Sequence, residues 1–253
     1  MKRIVLVTGA TSGFGKAIAF RFAQDGDDLI ITGRRKDRLE QIVEKIKEQF
    51  NVRVLPLIFD VRKPDQCEKA IHSLPEEWKK IDILVNNAGL AVGLHPIHEG
   101  VIDDWERMID TNVKGLLYMT RLVAPIMVEQ GHGHIINIGS IAGREVYPNG
   151  SAYCGSKFAV NAISKGMRID LLTYNVKVTE ILPGAAETEF SMVRFKGDKD
   201  RADAVYKGFK PLSAEDVADV VFYAASLPAH VNINELVLMP TAQASSMHFH
   251  RNL

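Results

Sequence analysis

The chain has 253 residues, 46% of them hydrophobic, enough to bury a sizeable α/β core without disulfide staples. Lys plus Arg and Asp plus Glu each total 31, so the formal net charge is zero and no broad basic field is available for nucleic acid or an anionic membrane. Cys67 and Cys154 lie far apart with no metal-ligand spacing, which argues against a zinc knuckle or disulfide framework and sets the expectation of a cytoplasmic protein. The first apolar run, in MKRIVLVTGA, is too short for a signal-peptide core, and no run is long enough to cross a bilayer. The sequon NGS at Asn149 reads as a turn.

Short β-branched runs alternate with longer helix-period segments. The runs are Ile4 to Val7, Leu29 to Thr32, Val52 to Phe59, Ile83 to Val85, His134 to Ile138, Val176 to Leu182 and Leu236 to Met239. Continuous rather than alternating hydrophobicity marks strands covered on both faces, so the expectation is a doubly wound, mostly parallel seven-stranded sheet in a single α/β domain over 1–253. Helices are expected at about 14–25, 37–50, 64–73, 103–130, 151–174 and 213–226. The second opens with Asp37 and Glu40 in capping-box spacing. Residues 185–210, AAETEFSMVRFKGDKDRADAVYKGFK, are polar, charge-rich and weakly periodic, and read as a mobile lid.

At the first strand-to-helix turn, VLVTGATSGFGKAIA supplies Gly9, Ala10, Thr11, Ser12, Gly13, Phe14 and Gly15. Gly9 permits the turn, Gly13 lets backbone approach a pyrophosphate, and Gly15 lets the helix press on the sheet, with the phosphate at the positive helix end. A dinucleotide is therefore the expected cofactor. After the second strand, where an acidic residue would bind the 2′-hydroxyl of NAD, the chain carries Arg34 and Arg35, suited to the 2′-phosphate of NADP. Their other reading is a pair of solvated arginines at a helix entry; Asp37 is a rival acid better explained as a cap.

Tyr153 and Lys157 stand one helical turn apart in SAYCGSKFAV. A phenol with a pKa of about 10 is a poor base at neutral pH; moving it to near 7 takes roughly 4 kcal/mol, part of which the ammonium at Lys157 can supply. An exposed contact is the alternative. Ser140 ends the fifth strand, where it can hydrogen-bond a substrate oxygen or simply cap a turn. His132, His134, His248, His250, His95 and His98 do not converge as a ligand set, so no metal is expected, and the HFH tail reads as polar surface. Cys154 reads as helix packing.

TGxxxGxG from Thr8 to Gly15, NNAG at 86–89, Asn112 in DTNVKG, Ser140 in NIGSIAG, Tyr153 and Lys157 as YxxxK, and PG at 183–184 occur in one order across nearly the whole chain. In that order they resemble the short-chain dehydrogenase/reductase family. The resemblance implies a Rossmann fold, NADP as cofactor, and Tyr153, Lys157, Ser140 and Asn112 as the catalytic set, with Lys157 also on the nicotinamide ribose and Asn112 positioning a relay water. It further implies cofactor contacts from Asp60, Val61, Asn87, Ala88, Gly89, Pro183, Gly184, Ala185 and Thr188, although Asp60 could instead cap the next helix.

Longer stretches such as ITGRRKDRL, MIDTNVKGLLYMTR and TEFSMVRFKGD are similar to a bacterial branch acting on small 3-hydroxy acids: serine, allo-threonine, 3-hydroxyisobutyrate or 3-hydroxypropionate. That implies a cation for the substrate carboxylate, with Arg194 in the lid and Arg144 after Ser140 as candidates, either of which could be a surface residue. The segment PGAAETEF departs from the branch and leaves pocket shape open. Two other readings stand beside this one: a reductase of ketoacyl thioesters or dicarbonyls, and a non-enzymatic NADPH-sensing module. Family members commonly form homotetramers through helices corresponding to 103–130 and 151–174; Leu116, Leu117, Ala159 and Ile163 permit this or face the core.

Overall fold

The computed structural model describes residues 2–252. Seven strands, β1 (Ile4–Val7), β2 (Asp28–Gly33), β3 (Val54–Ile58), β4 (Ile83–Asn86), β5 (Gly133–Ile138), β6 (Val176–Pro183) and β7 (Glu235–Leu238), form one parallel sheet in the order β3-β2-β1-β4-β5-β6-β7. Alternate strand side chains feed two cores. Val5, Val7, Leu29 and Ile31 pack on one face with α1 (Gly13–Gln24), α2 (Lys36–Gln49) and a later helix at Ala214–Ser226. Leu6, Ile30, Leu84 and Ile135 pack on the other with α3 (Pro64–His72) and the long helices that follow β4 and β5. Both faces are covered, which is why the strands read as unbroken apolar runs.

Several boundaries differ from the sequence expectation for local reasons. The expected capping box at Asp37 and Glu40 does not form: Arg35 is the N-cap, α2 has no side-chain cap, and Glu40 sits 3.8 Å from Lys36 instead. The helix expected over 103–130 is α4 (Ile102–Ile109) and α5 (Leu116–Gln130), joined by a π-helical turn at Asp110–Gly115 that contains Asn112. The next helix, α6 (Ser151–Asp170), ends at Asp170 and yields to a short 3₁₀ turn, with Asn175 in the left-handed region.

Residues 185–210 contain α7 (Glu189–Arg194) and α8 (Lys199–Ala204), followed by α9 (Ala214–Ser226). The excursion leaves and returns side by side: Leu212 N donates to Ala185 O at 3.0 Å and Glu187 N to Leu212 O at 2.9 Å. Its far end rests on the loop after β4, where Gly93 N donates to Arg194 O at 2.9 Å and Lys196 Nζ stands 2.8 Å from the buried Asp104 carboxylate. No helix among the described residues is long and apolar enough to cross a membrane.

Candidate active site

Strand order reverses at β1, whose neighbours are β2 and β4, and a crevice opens beyond the strand ends there. It continues as one cleft of about 620 Å³ from the glycine loop past Arg34, Arg35, Asp60 and Val61 to Ser140, Tyr153, Lys157 and Arg194. Gly9 and Gly13 have φ of +69° and +51°, and a Cβ on Gly9 would stand 2.9 Å from Ala88 Cα. Backbone conformation disfavours a side chain at both positions, and at Gly9 there is also no space for one. Asn87 holds the loop from behind, donating to Thr8 O at 2.8 Å and Gly9 O at 3.2 Å. Thr8 Oγ1 in turn accepts from the backbone of Asn87 and Ala88, both at 3.0 Å.

Not every expected loop residue faces the cleft. Thr11, Ser12, Gly13 and Phe14 do, as do Asn87, Ala88 and Gly89, whereas Ala10 is fully buried in the core. Gly15 is a packing position: a Cβ there would collide with Asn87 Nδ2 at 2.4 Å and Gly9 O at 2.5 Å. Pro183, Gly184, Ala185 and Thr188 line the opposite wall. Thr188 also caps α7 by accepting from Phe190 N at 3.2 Å.

The two arginines hold different partners. Arg35 donates to Thr11 Oγ1 at 3.1 and 2.9 Å and to Ser12 Oγ at 2.7 Å, and pairs with Glu189 at 3.0 Å. Arg34 is more than half exposed and lies 3.6 Å from Asp60. Asp60 caps no helix; Arg62 binds its carboxylate at 2.6 Å, and the adjacent arginines outweigh the effect of burial to hold it below the usual carboxylate range. Arg38, which the sequence reading passed over, grips Glu189 at 2.6 Å. Arg34 and Arg35 line this end of the cleft, with Arg38 beside them on Glu189, a donor set that fits a 2′-phosphate.

At the other end Tyr153 and Lys157 are both buried on α6. Burial pushes the Tyr153 phenol up, while the Arg194 guanidinium and hydrogen bonding with Ser140 pull it down. The nearer cation is thus Arg194, whose Cζ stands 5.1 Å from the Tyr153 ring centroid, against 6.0 Å for Lys157 Nζ. Arg194 joins Lys157, which was expected to supply part of the shift, as a cation beside the phenol. Lys157 Nζ donates to Ile138 O at 2.8 Å, and burial lowers it to about 8. Ser140 Oγ accepts from Ala142 N at 3.1 Å, which leaves its own proton to give.

Asn112 lies beneath the cleft rather than in its wall. It clamps the loop after β4 by accepting from Leu90 N and donating to Leu90 O, both at 2.8 Å, and it donates to Ser156 Oγ at 3.0 Å. Both of its amide protons are committed, so its side chain acts as a brace. The π turn that carries it breaks the regular helical ladder at that point.

Arg194 and Arg144 part company. Arg194 projects from α7 into the cleft, donates to the Tyr147 hydroxyl, and keeps a buried Nε with no partner. Arg144 is ion-paired with Glu235 on the far side of β6 and does not line the cleft, because the 3₁₀ turn after Ser140 carries it outward. Sequence reading also missed part of the wall. Tyr147, Phe190, Gln243, Met247, Phe249 and Arg251 line the cleft. Phe249 comes from the HFH tail read as polar surface; the tail folds back, with Gln243 Oε1 accepting from Ala185 N at 2.7 Å and Arg251 donating to Val205 O at 3.1 Å. The signal available was the aromatic residue between the two histidines.

A doubly wound sheet with a glycine turn at its switch point, and a phenol, hydroxyl and ammonium at the far end of the same crevice, is the architecture of a nicotinamide-dependent oxidoreductase. The short chain dehydrogenase family pattern matches residues 3–199, and the chain belongs to that family of oxidoreductases acting on CH–OH groups. It is 50% identical over 250 residues to the NADP-dependent 3-hydroxy acid dehydrogenase of Escherichia coli K12, covering 98% of this chain and 99% of that protein. It is 48% identical over 247 residues to sulfoacetaldehyde reductase 2 of Chromohalobacter salexigens, covering 97% of each. The closed form of serine dehydrogenase complexed with NADP+ superposes with a TM-score of 0.91 at 50% identity, over 98% of this chain and all of that one.

Proposed function

We propose that the chain is an NADP-dependent dehydrogenase of small 3-hydroxy acids such as serine, allo-threonine and 3-hydroxypropionate, or a reductase of the matching semialdehyde. The observation that carries this reading is Arg194. It is a half-buried guanidinium with a buried, unpartnered Nε beside the Tyr153 ring, and it suits a small substrate with an anionic group a few bonds from the reacting carbon. The named activities of the relatives support the same class, since serine, 3-hydroxy acids and sulfoacetaldehyde each bear a carboxylate or sulfonate.

The cofactor is NADP: Arg34 and Arg35 would hold its 2′-phosphate, Ser12, Gly13 and Phe14 its pyrophosphate, Asp60 and Val61 its adenine, and Lys157 its nicotinamide ribose. When bound it supplies the hydride acceptor or donor. In oxidation Tyr153 takes the proton of the substrate hydroxyl, and in reduction it gives one to the carbonyl oxygen. Ser140 donates to that same oxygen as charge develops on it. Arg194 acts twice, orienting the carboxylate and lowering the cost of the Tyr153 phenolate. Asn112 steadies the loop that floors the pocket, and the 185–210 excursion opens to admit substrate and closes over it.

Exposed Leu117, Phe158 and Ile169 on α5 and α6 support a homotetramer, while Leu116 belongs to the core. The buried free thiols of Cys67 and Cys154 are in keeping with a cytoplasmic location. The reading is tested by following nicotinamide absorbance with L-serine, allo-threonine, 3-hydroxypropionate, sulfoacetaldehyde and an acetoacetyl thioester. Turnover of the hydroxy acids with NADP but not NAD supports it. Turnover of the thioester alone replaces it with a ketoacyl reductase, and cofactor binding with no turnover of any substrate replaces it with a sensing module.

A further inference from the structure

The catalytic set leaves one fully buried carboxylate unused. Glu180 on β6 has no exposed surface; its Oε2 accepts from Asn161 Nδ2 at 2.7 Å, and its Oε1 has no hydrogen-bond partner. An interior carboxylate in that condition needs a compensating charge. The carboxylate presses against the catalytic strand end: a Cβ on Gly139 would stand 2.4 Å from Glu180 Oε1. Gly139 lies between Ile138, whose carbonyl receives Lys157, and Ser140. Its missing side chain is the room in which Glu180 sits.

The cations nearby are already divided. Glu235, paired in register with Glu180 on β7, has Arg144 and has Lys165 at 3.6 Å. Arg168 on α6 spends its guanidinium on the carbonyls of Val178 and Asn234. Lys157 and Asn161, one turn apart on α6, share the face that Asn161 turns toward Glu180. Of the cations around Glu180, Lys157 is the one in the catalytic set, its Nζ held on the Ile138 carbonyl next to the Gly139 position that Glu180 fills.

We propose that Glu180 is a positioning residue for the reaction, a buried anion behind the catalytic shelf that holds Lys157 in its ammonium form and so acts on Tyr153 and the cofactor ribose without touching substrate. It rests on the roles given to Tyr153 and Lys157 above. Burial lowers Lys157 to about 8, and the Glu180 charge is what opposes that fall. Burial raises Glu180 above the usual carboxylate range, and the Asn161 hydrogen bond with the Lys157, Arg144 and Lys165 charges opposes that rise and favours its ionised form. The groups facing Glu180 are thus Lys157, Asn161, Lys165 and Arg168 on α6, Glu235 on β7 and Arg144 after β5. Removing the anion lowers the pKa of Lys157, so the ammonium is lost at a lower pH.

The test compares the full-length wild type with Glu180→Gln, Glu180→Asp and Tyr153→Phe. The pH profile of kcat/KM is measured with the best hydroxy acid, and the Lys157 side chain is titrated by 13C NMR of Cε-labelled lysine, which needs no turnover. Glu180→Gln is expected to move the alkaline limb and the Lys157 titration toward acid by about one pH unit or more. Activity near pH 6.5 should stay close to wild type, and Glu180→Asp should restore both curves. An unchanged limb and titration in folded Glu180→Gln overturns the proposal, as does a uniform loss at every pH. If Glu180→Gln does not fold, Asn161→Ala decides in its place, because it releases the carboxylate and should shift both curves the same way. Turnover by Tyr153→Phe would instead sink the catalytic reading, independently of what Glu180 does.

Discussion

At the residue scale the proposed chemistry rests on two side chains, and each makes a separable demand on kinetics. Tyr153→Phe removes the only exchangeable proton of the ring while keeping its packing against Phe190, 5.7 Å between centroids. Turnover should fall by about a thousandfold or more, with NADPH still bound by fluorescence titration; retained turnover would assign the proton to another group. Arg194→Gln should raise KM for hydroxy acids roughly 10–100-fold, the worth of a charged hydrogen bond, and Arg144→Gln should leave KM unchanged. Tyr153 and Lys157 were legible because helical spacing is local. Arg194 and Arg144 were indistinguishable in sequence, as two isolated arginines whose directions are set by α7 and by the 3₁₀ turn after Ser140. The closeness of Arg194 to Tyr153 was hidden for the same reason: the contact joins α7 to α6.

The elements themselves depend on buried polar ties as well as apolar runs. On β5, His134 is buried, with Nε2 2.8 Å from Thr179 Oγ1 on β6, and burial lowers it to about 3. Between that value and the ordinary histidine pKa near 6.5 the unfolded chain binds the extra proton, so stability is full above about 6.5 and is lost as pH falls toward 3. The slope from this group should approach 1.4 kcal/mol per pH unit. Chemical denaturation of wild type and His134→Gln from pH 7 to pH 4 checks it: the variant should lose stability less steeply, and parallel curves would remove His134 as a cause. The strands were legible within a residue or two because the five inner ones are buried between helices and even the half-buried edge strands β3 and β7 keep apolar runs. The capping box was not, since Arg35 is drawn to Thr11 and Ser12 at the helix entry where Asp37 was expected to act. The break in the α4–α5 helix falls where Asn112 is tied to Leu90, a contact that helical periodicity does not encode.

For the whole molecule, cofactor and fold are linked because the cleft is built from both halves of the sheet and from a tail that returns to it. A ligand held only by the native state at 100 times its Kd adds about 2.7 kcal/mol, so NADP should raise the melting temperature by roughly 5–10 °C for a chain of this size. NAD at the same concentration should raise it much less, and equal shifts would dissolve the case for Arg34 and Arg35. The glycine loop and much of the cofactor wall could be read from sequence because they follow chain order. The substrate wall could not, because Phe249 and Arg251 reach it from the far end of the chain.

The most direct measurement is the ratio of kcat/KM for 3-hydroxypropionate to that for propan-1-ol, the same alcohol without its carboxylate, in wild type and in Arg194→Gln. The account predicts a strong preference for the acid in wild type that largely collapses in the variant, while both enzymes bind NADP alike. Comparable turnover of the two alcohols by wild type, or a preference that survives loss of Arg194, would contradict it.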